Sequence, residues 1–562
     1  MTRLVTLDLS TLNFPGDVPL KLEKPNLRML AQNLSKLQEL YLDGVNDLSV
    51  IHLDKNNLSS TMPKFLAKFS NLTSLRLSSC GLHGLFPKDI LQITRLELAS
   101  CGLKVFPDLK NQARLTYLDL SDNQISGEVP NWIWNVGNGL LQHLNLSFDQ
   151  LVSLQKPYQI PGLSVLDLHS NKLSGNIPTL PPSASYLDYS RNIFTSSLPP
   201  NISSCLSCTI FFSLSSNGLK GFIPNSICDA GYLQVLDLSN SSLTGAIPKC
   251  LIERIVSLGV PNLRGNSLSG NIPDAFLSHC SIQTLNVNGY ELEGKIPRSL
   301  ARCKMLEVLD LGNNRISDSF PCHLKNISTL RILVLRANEF HGKIGCPAIM
   351  APRPKHQIVD IAHHSFNGRL PEKWLTTWEA MMGDDDQAQL SVKHLQFEVL
   401  KLTQWNLSSA RHNSYHERSN NGAGAIPPSL RKLQQLESLD LSSNNLCGSI
   451  PQQLAKLNFL AFLDLSHNQL GGRIPKGNQF RWLSDDSFDN NGGLCGPPLE
   501  AKCQSPDSPS LEILKLGSRS TRAEAGSDIR WNFISADIGF FFGLGIVIAS
   551  PYLLEEMEDM VL

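Results

Sequence analysis

The sequence carries no surplus of charge: 49 lysines and arginines stand against 50 aspartates and glutamates in 562 residues. Spread along the chain, they exclude the basic groove of a nucleic-acid binder. Cysteine is scarce. Thirteen cysteines are too few for a disulfide scaffold, and the odd number leaves at least one thiol outside any internal pairing. The opening residues, MTRLVTLDLS, lack the apolar core and small-residue cleavage site of a secretory signal. No glycine-rich phosphate loop and no kinase catalytic-loop motif occur, which excludes a kinase domain of its own. Length alone would argue for about three or four globular domains, an estimate that fails if the chain repeats itself.

It does repeat. YLDLSDNQISGEVP (117–130), VLDLHSNKLSGNIP (165–178), VLDLSNSSLTGAIP (235–248), SLDLSSNNLCGSIP (438–451) and FLDLSHNQLGGRIP (462–475) follow one template, LxxLxLxxNxLxGxIP. Asn314 to Asn338 and Asn444 to Asn468 are both 24 residues apart, within the leucine-rich-repeat range, and about eighteen copies can be placed. The LxL leucines alternate with an outward residue, the period of a short strand with one buried face. The Asn is suited to bond backbone groups of the neighbouring turn, and Cys80 and Cys101 occupy the same position. Gly permits a tight backbone course, and Pro ends the pairing and returns the chain along the outer side of a coil. The predicted fold is an α/β solenoid, a right-handed leucine-rich-repeat superhelix with a parallel β-sheet on its concave face, in which stability sums over neighbouring turns.

The G-x-IP ending is the plant-specific form of the repeat. With it come SFPCHLKNISTLRILVLRANEFHGKIGCP (319–347), LPEKWLTTWEAMMGDDDQ (370–387), FDNNGGLCGPPLEAKC (488–503) and the terminal apolar segment. On these stretches the chain resembles the plant leucine-rich-repeat receptor-like proteins of the Verticillium-wilt-resistance-like and Cf-like group. The resemblance implies an extracellular repeat solenoid, a non-repeat island, a cysteine-paired cap, one transmembrane helix and no kinase. The expected organisation is repeats over 1–373, an island over 374–425, repeats over 426–480 and a cap over 481–507. A juxtamembrane segment (508–532), a transmembrane helix (533–554) and a short tail (555–562) follow.

Two junctions depart from the pattern. Val45 and Asn56 fill successive ninth positions only 11 residues apart, and the second half of 374–425 lacks the further repeats the resemblance implies. The expectation is a member truncated at its N-terminus and internally deleted.

Outward aspartates recur at Asp119, Asp167, Asp188, Asp310, Asp440 and Asp464. Adjacent strands would place them about 4.8 Å apart, near the ~5 Å carboxyl separation of a retaining glycosidase. That spacing comes from the repeat, the groups are expected to be solvated, and the expectation is a non-enzyme. Cys205-Leu-Ser-Cys208 is a lone CxxC, better explained by a local disulfide or two buried thiols than by zinc or redox chemistry. Cys495 and Cys503 follow the last repeat, where a hydrophobic end must be sealed, and match the cap of the resembled family. His363-His364 has no partner ligand at metal spacing, so neither metal nor cofactor is expected. The sequons Asn33, Asn57, Asn71, Asn145, Asn201, Asn240, Asn326 and Asn406 are glycosylation candidates.

About eighteen strands would make a ribbon on the order of 80 Å long, suited to a peptide or protein ligand. Outward residues that depart from the LDLS wording are the ligand-binding candidates: His143, Asn145, His169, Arg191, Arg331, Arg336, Asp360 and His363. The resemblance implies a cell-surface receptor that recognises a pathogen-derived or developmental ligand and signals through a partner receptor kinase. A soluble inhibitor of a pathogen polygalacturonase and a non-functional remnant are the alternatives. The segment 538–554 is uncharged for 17 residues, about 26 Å of helix, a short membrane span. Gly539 and Gly543 give it a small-residue face for pairing with a partner helix. The acidic LLEEMEDMVL after it and Arg519, Arg522 and Arg530 before it oppose the positive-inside pattern.

Overall fold

The computed structural model describes short strands at 6–8 and 39–41, most of 49–343, parts of 358–367 and 404–406, and most of 425–503. It divides into two compact units, Met1–Leu258 and Gly259–Leu562. In the first, the three-residue strands Val50–His52, Ser74–Arg76, Arg95–Glu97, Tyr117–Asp119, His143–Asn145, Val165–Asp167, Tyr186–Asp188, Phe211–Ser213 and Val235–Asp237 form one parallel ladder. Equivalent residues lie side by side, as in Tyr117 to His143 to Val165 to Tyr186. Their central residues, among them Leu75, Leu96, Leu118, Leu144 and Leu166, are fully buried. Because side chains alternate across a strand, the flanking positions fall on the opposite, outer face.

In the second unit Thr284–Asn286, Val308–Asp310, Ile332–Val334, Ile358–Asp360, Gln404–Asn406, Ser438–Asp440 and Phe462–Asp464 pair in the same register. Gln404–Asn406 lies inside the stretch expected to be a repeat-free island, yet Trp405 aligns between Val359 and Leu439. Near the N-terminus, Glu39–Tyr41 pairs with Thr6–Asp8, whereas Val50–His52 pairs with Ser74–Arg76. Among the described residues the two strands flanking the short junction do not pair with each other.

A second set of short parallel strands follows the Asn position, such as Ser126–Val129 with Gln150–Leu154 and Lys220–Phe222 with Ser242–Gly245. The G-x-IP pattern by itself implies only a tight course and not these strands. Gly127 takes φ 93° and Gly221 φ 81°, a region that costs glycine alone little. Pro224, Pro297 and Pro451 then lead into short 3-10 turns, as at Asn225–Asp229 and Gln452–Lys456, and Pro130 leads into a longer, kinked stretch over Asn131–Gly139. The α/β expectation is corrected accordingly. Among the described residues the only α-helix is Cys250–Glu253, since a proline-led return of one or two turns holds tight 3-10 geometry and is too short to propagate an α-helix.

The asparagine column joins the turns. Asn123 Oδ1 accepts the N–H groups of Cys101 and Leu103, while its Nδ2 donates to the carbonyls of Leu98, Leu120 and Ser121. Asn171, Asn192, Asn314, Asn338 and Asn468 repeat this with their own neighbours. Asn491, in the expected cap, does the same toward Leu470 and Leu465. The residue before the column is left-handed even when it is not glycine: Asp122, Ser170, Arg191, Ala337 and His467 have φ between 51° and 56°. At Cys80 and Cys101 the thiols bond the Leu77 carbonyl instead.

Four disulfides are present. Cys495–Cys503 closes the cap as expected, with Phe480 and Phe488 buried beside the last turn. Cys228–Cys250, Cys280–Cys303 and Cys322–Cys346 were not anticipated; separations of 22, 23 and 24 residues show that each links consecutive turns. Cys205 and Cys208 are neither bridged nor both buried, against the expectation for them: Cys205 is half-buried and Cys208 exposed. The expected span 533–554 with Gly539 and Gly543 lies outside the described residues, and among those no helix is long and apolar enough to cross a membrane.

Two predictions follow from the column. Asn123→Ala strands several buried backbone groups, so urea unfolding is expected to show a loss of about 3 kcal/mol or more. Asp149 occupies a column position: its Oδ1 accepts from Ile125 N–H, its Oδ2 has no partner, and burial, with Asp122 nearby, raises its pKa to about 7. Its unfolded value is near 4, so the unfolded chain gives up this proton first and stability falls as pH rises from about 4 to 7. Asp149→Asn restores the amide donor and is expected to flatten that part of the stability-against-pH curve.

Candidate ligand-binding face

On the outer face of the first unit the strand positions form three rows. The middle row contains Asp119, Asn145, Asp167, Asp188 and Asp237, and its function is legible from its bonds. Asp119 Oδ1 accepts from the N–H and hydroxyl of Ser121 at 2.9 and 2.7 Å. Asn145 Oδ1 does the same with Ser147 at 3.0 and 2.8 Å. Asp188 and Asp237 accept from the N–H groups of Ser190 and Ser239. In the second unit Asp310, Asp440 and Asp464 take Gly312, Ser442 and Ser466. The LDLS wording is therefore a strand-ending turn in which the carboxylate ties down the backbone two residues on.

These carboxylates are not all solvated as expected. Asp188, Asp237 and Asp310 are buried, and burial raises Asp188 and Asp310 to about 6. Burial also raises Asp119 and Asp440. The row supplies backbone anchors.

The first row is aromatic. The Arg95 guanidinium lies 3.8 Å over the Tyr117 ring, and Tyr117 stacks on His143 at 3.9 Å with planes 8° apart. One strand intervenes, carrying Val165, and Tyr186 then stacks on Phe211 at 4.4 Å, again 8° from parallel. Burial, then the Arg95 charge, lowers the His143 pKa to about 4. Burial raises Tyr117 to about 12. In the third row His169 Nδ1 contacts Asp167 Oδ1 at 2.7 Å and meets Phe148 edge-on at 4.5 Å. Its pKa is raised by the Asp167 bond and charge, which outweigh its burial.

The structure puts His143 and Asn145 on one strand and His169 two residues past the neighbouring strand Val165–Asp167, and places Arg191 exposed. In the second unit Arg331 pairs with Glu307 at 3.4 Å and Arg336 with Asp360 at 3.8 Å. His363 lies outside the described residues, and its neighbour His364 fills a column position, bonding the Asn338 carbonyl at 3.0 Å. Sequence reasoning missed Arg95, Tyr117, Tyr186 and Phe211. Their signal was an aromatic or cation immediately before the buried middle residue of the strand (Leu96, Leu118, Leu187 and Phe212), where other copies have Val or Ser. Asp167, His169 and Asp188 offer atoms within 4.8 Å of one another, an arrangement compatible with a metal ion.

Comparison with known proteins bears on most of the chain. The leucine rich repeat family models match residues 418–470 and, separately, 71–93, 114–136, 232–253, 305–327 and 459–490. Receptor-like protein 35 of Arabidopsis thaliana is 32% identical over 92% of this chain and 54% of its own length. Receptor-like protein 33 of the same plant is 34% identical over 91% of this chain and 56% of its own. The chain thus spans about half the length of these relatives. Among solved structures, PEPR1–AtPEP1 is similar with TM-score 0.59 and 25% identity, covering 79% of this chain and 67% of that one. The Arabidopsis receptor kinase HAESA ectodomain with an N-terminally extended IDA peptide hormone gives TM-score 0.54 and 26% identity over 85% and 81%.

The His143 assignment is checked by its imidazole NMR titration. The midpoint is expected near pH 4, moving upward in Arg95→Gln as the neighbouring positive charge is lost.

Proposed function

Because the chain belongs to the plant leucine-rich-repeat receptor-like proteins, we propose that it is a cell-surface receptor without a kinase domain. It takes a peptide or protein ligand on the outer face of its repeat sheet. The observation that carries the reading is the first row of that face: aromatic rings and a guanidinium stand where the repeat itself needs none. Aromatic and arginine side chains are the residues on which protein recognition concentrates its energy. The peptide-hormone complex of the similar HAESA ectodomain supports the same use of the fold.

Signalling then passes to a partner receptor kinase, in defence or development, with 533–554 as the single membrane anchor and Gly539 and Gly543 as its pairing face. The plasma membrane with repeats outside is the matching location, and the three unexpected disulfides between turns fit an oxidising compartment.

The test is expression of the tagged chain in plant cells. Membrane fractionation with glycosidase-sensitive mobility is expected; a cytosolic, sugar-free product would rule the receptor out. Asn71, Asn201, Asn240 and Asn326 are exposed. Changing each to Gln is expected to remove one glycan step. Asn145→Gln is expected to remove none, since that amide is held by Ser147 on the sheet face.

A further inference from the structure

The aromatic row of the first unit is interrupted once. His143 and Tyr186 flank Val165 in strict register, so their columns stand two strand spacings apart, about 9.6 Å. Across a single spacing the same sheet stacks rings at 3.9 and 4.4 Å with planes 8° from parallel. Val165 has no ring, which leaves a slot one planar group thick between the His143 and Tyr186 faces. All three residues, with Asp167, are only half-buried. Along the strand from Val165, on the same face, stands Asp167, and beside it Asp188. Among the described residues no lysine or arginine forms an ion pair with Asp119, Asp167 or Asp188; Asp167 meets only His169. The slot therefore has aromatic walls, an apolar floor and a rim of two carboxylates that His169 meets and no lysine or arginine pairs among the described residues.

We propose that this slot receives an arginine side chain of the ligand, its guanidinium stacked between His143 and Tyr186 over Val165 and paired with Asp167. The inference rests on the outer face being the ligand surface. A guanidinium suits both demands, since it is planar, stacks on aromatic faces and bonds carboxylates in a fixed fork. A lysine ammonium meets the rim but cannot fill a flat slot. Burial keeps His143 neutral at physiological pH, so this wall does not repel the cation.

The probe is N-acetyl-L-argininamide, compared with the lysine and tyrosine analogues, titrated into the intact chain by NMR of the His143 and Tyr186 rings. Binding of the arginine probe at least tenfold tighter than either analogue is expected. Val165→Phe is expected to abolish it by supplying the missing ring, Asp167→Asn to weaken it roughly fivefold, and His143→Ala to erase the preference for arginine over lysine. Equal binding of the lysine probe, tighter binding of the tyrosine probe, or unchanged binding in a folded Val165→Phe chain would overturn the slot. Peptides enriched from a displayed random library separate this from the broader reading. Arginine-containing binders lost in Val165→Phe support the slot. Arginine-free binders kept in Val165→Phe but lost in Asn145→Trp end the slot and leave the face as ligand surface. No binder on the face ends both.

Discussion

Everything else in the structure depends on the hydrogen bonds of the asparagine column. A coil of three-residue strands leaves many backbone groups facing inward at each corner, and buried groups of that kind must be paired. One side chain does so for two turns at once: Asn314 reaches the Leu292 N–H and Val287 carbonyl behind it and the Leu311 and Gly312 carbonyls of its own turn. The leucines supply the driving force for stacking, but they are interchangeable grease. The amide ties each turn to the one before it at the corner, beside the parallel ladder whose strand spacing sets the rows on the outer face.

That division explains how the fold was legible. Leucine spacing, the Asn position and G-x-IP each state a local need, and their repetition made the parallel ladder certain from sequence. The left-handed residue before each Asn was invisible, because the chain puts Asp, Ser, Arg, Ala or His there as readily as Gly and forces the geometry from the corner itself. The stapling cysteines were hidden differently. Each is unremarkable alone, and only a separation equal to one repeat marks Cys228 with Cys250 or Cys280 with Cys303.

The face was half legible. Residues that break the LDLS wording, such as His143 and His169, do lie together, because any outward position of neighbouring copies must. The aspartates of the wording were expected to be solvated, whereas in copies such as 118–121 Asp and Ser satisfy each other and the backbone. The variable chemistry sits one position earlier, in the row holding Arg95, Tyr117, His143 and Tyr186. A template aligned on its leucines treats that position as filler, although it is the outward position least engaged by the turn.

The three staples between consecutive turns carry a consequence for resistance to proteolysis. Each bridge encloses almost a full turn, so a protease that nicks the chain between Cys228 and Cys250, or between Cys322 and Cys346, leaves two ends that are still covalently joined. The cut turn keeps its place in the stack, and the severed chain still presents its outward rows.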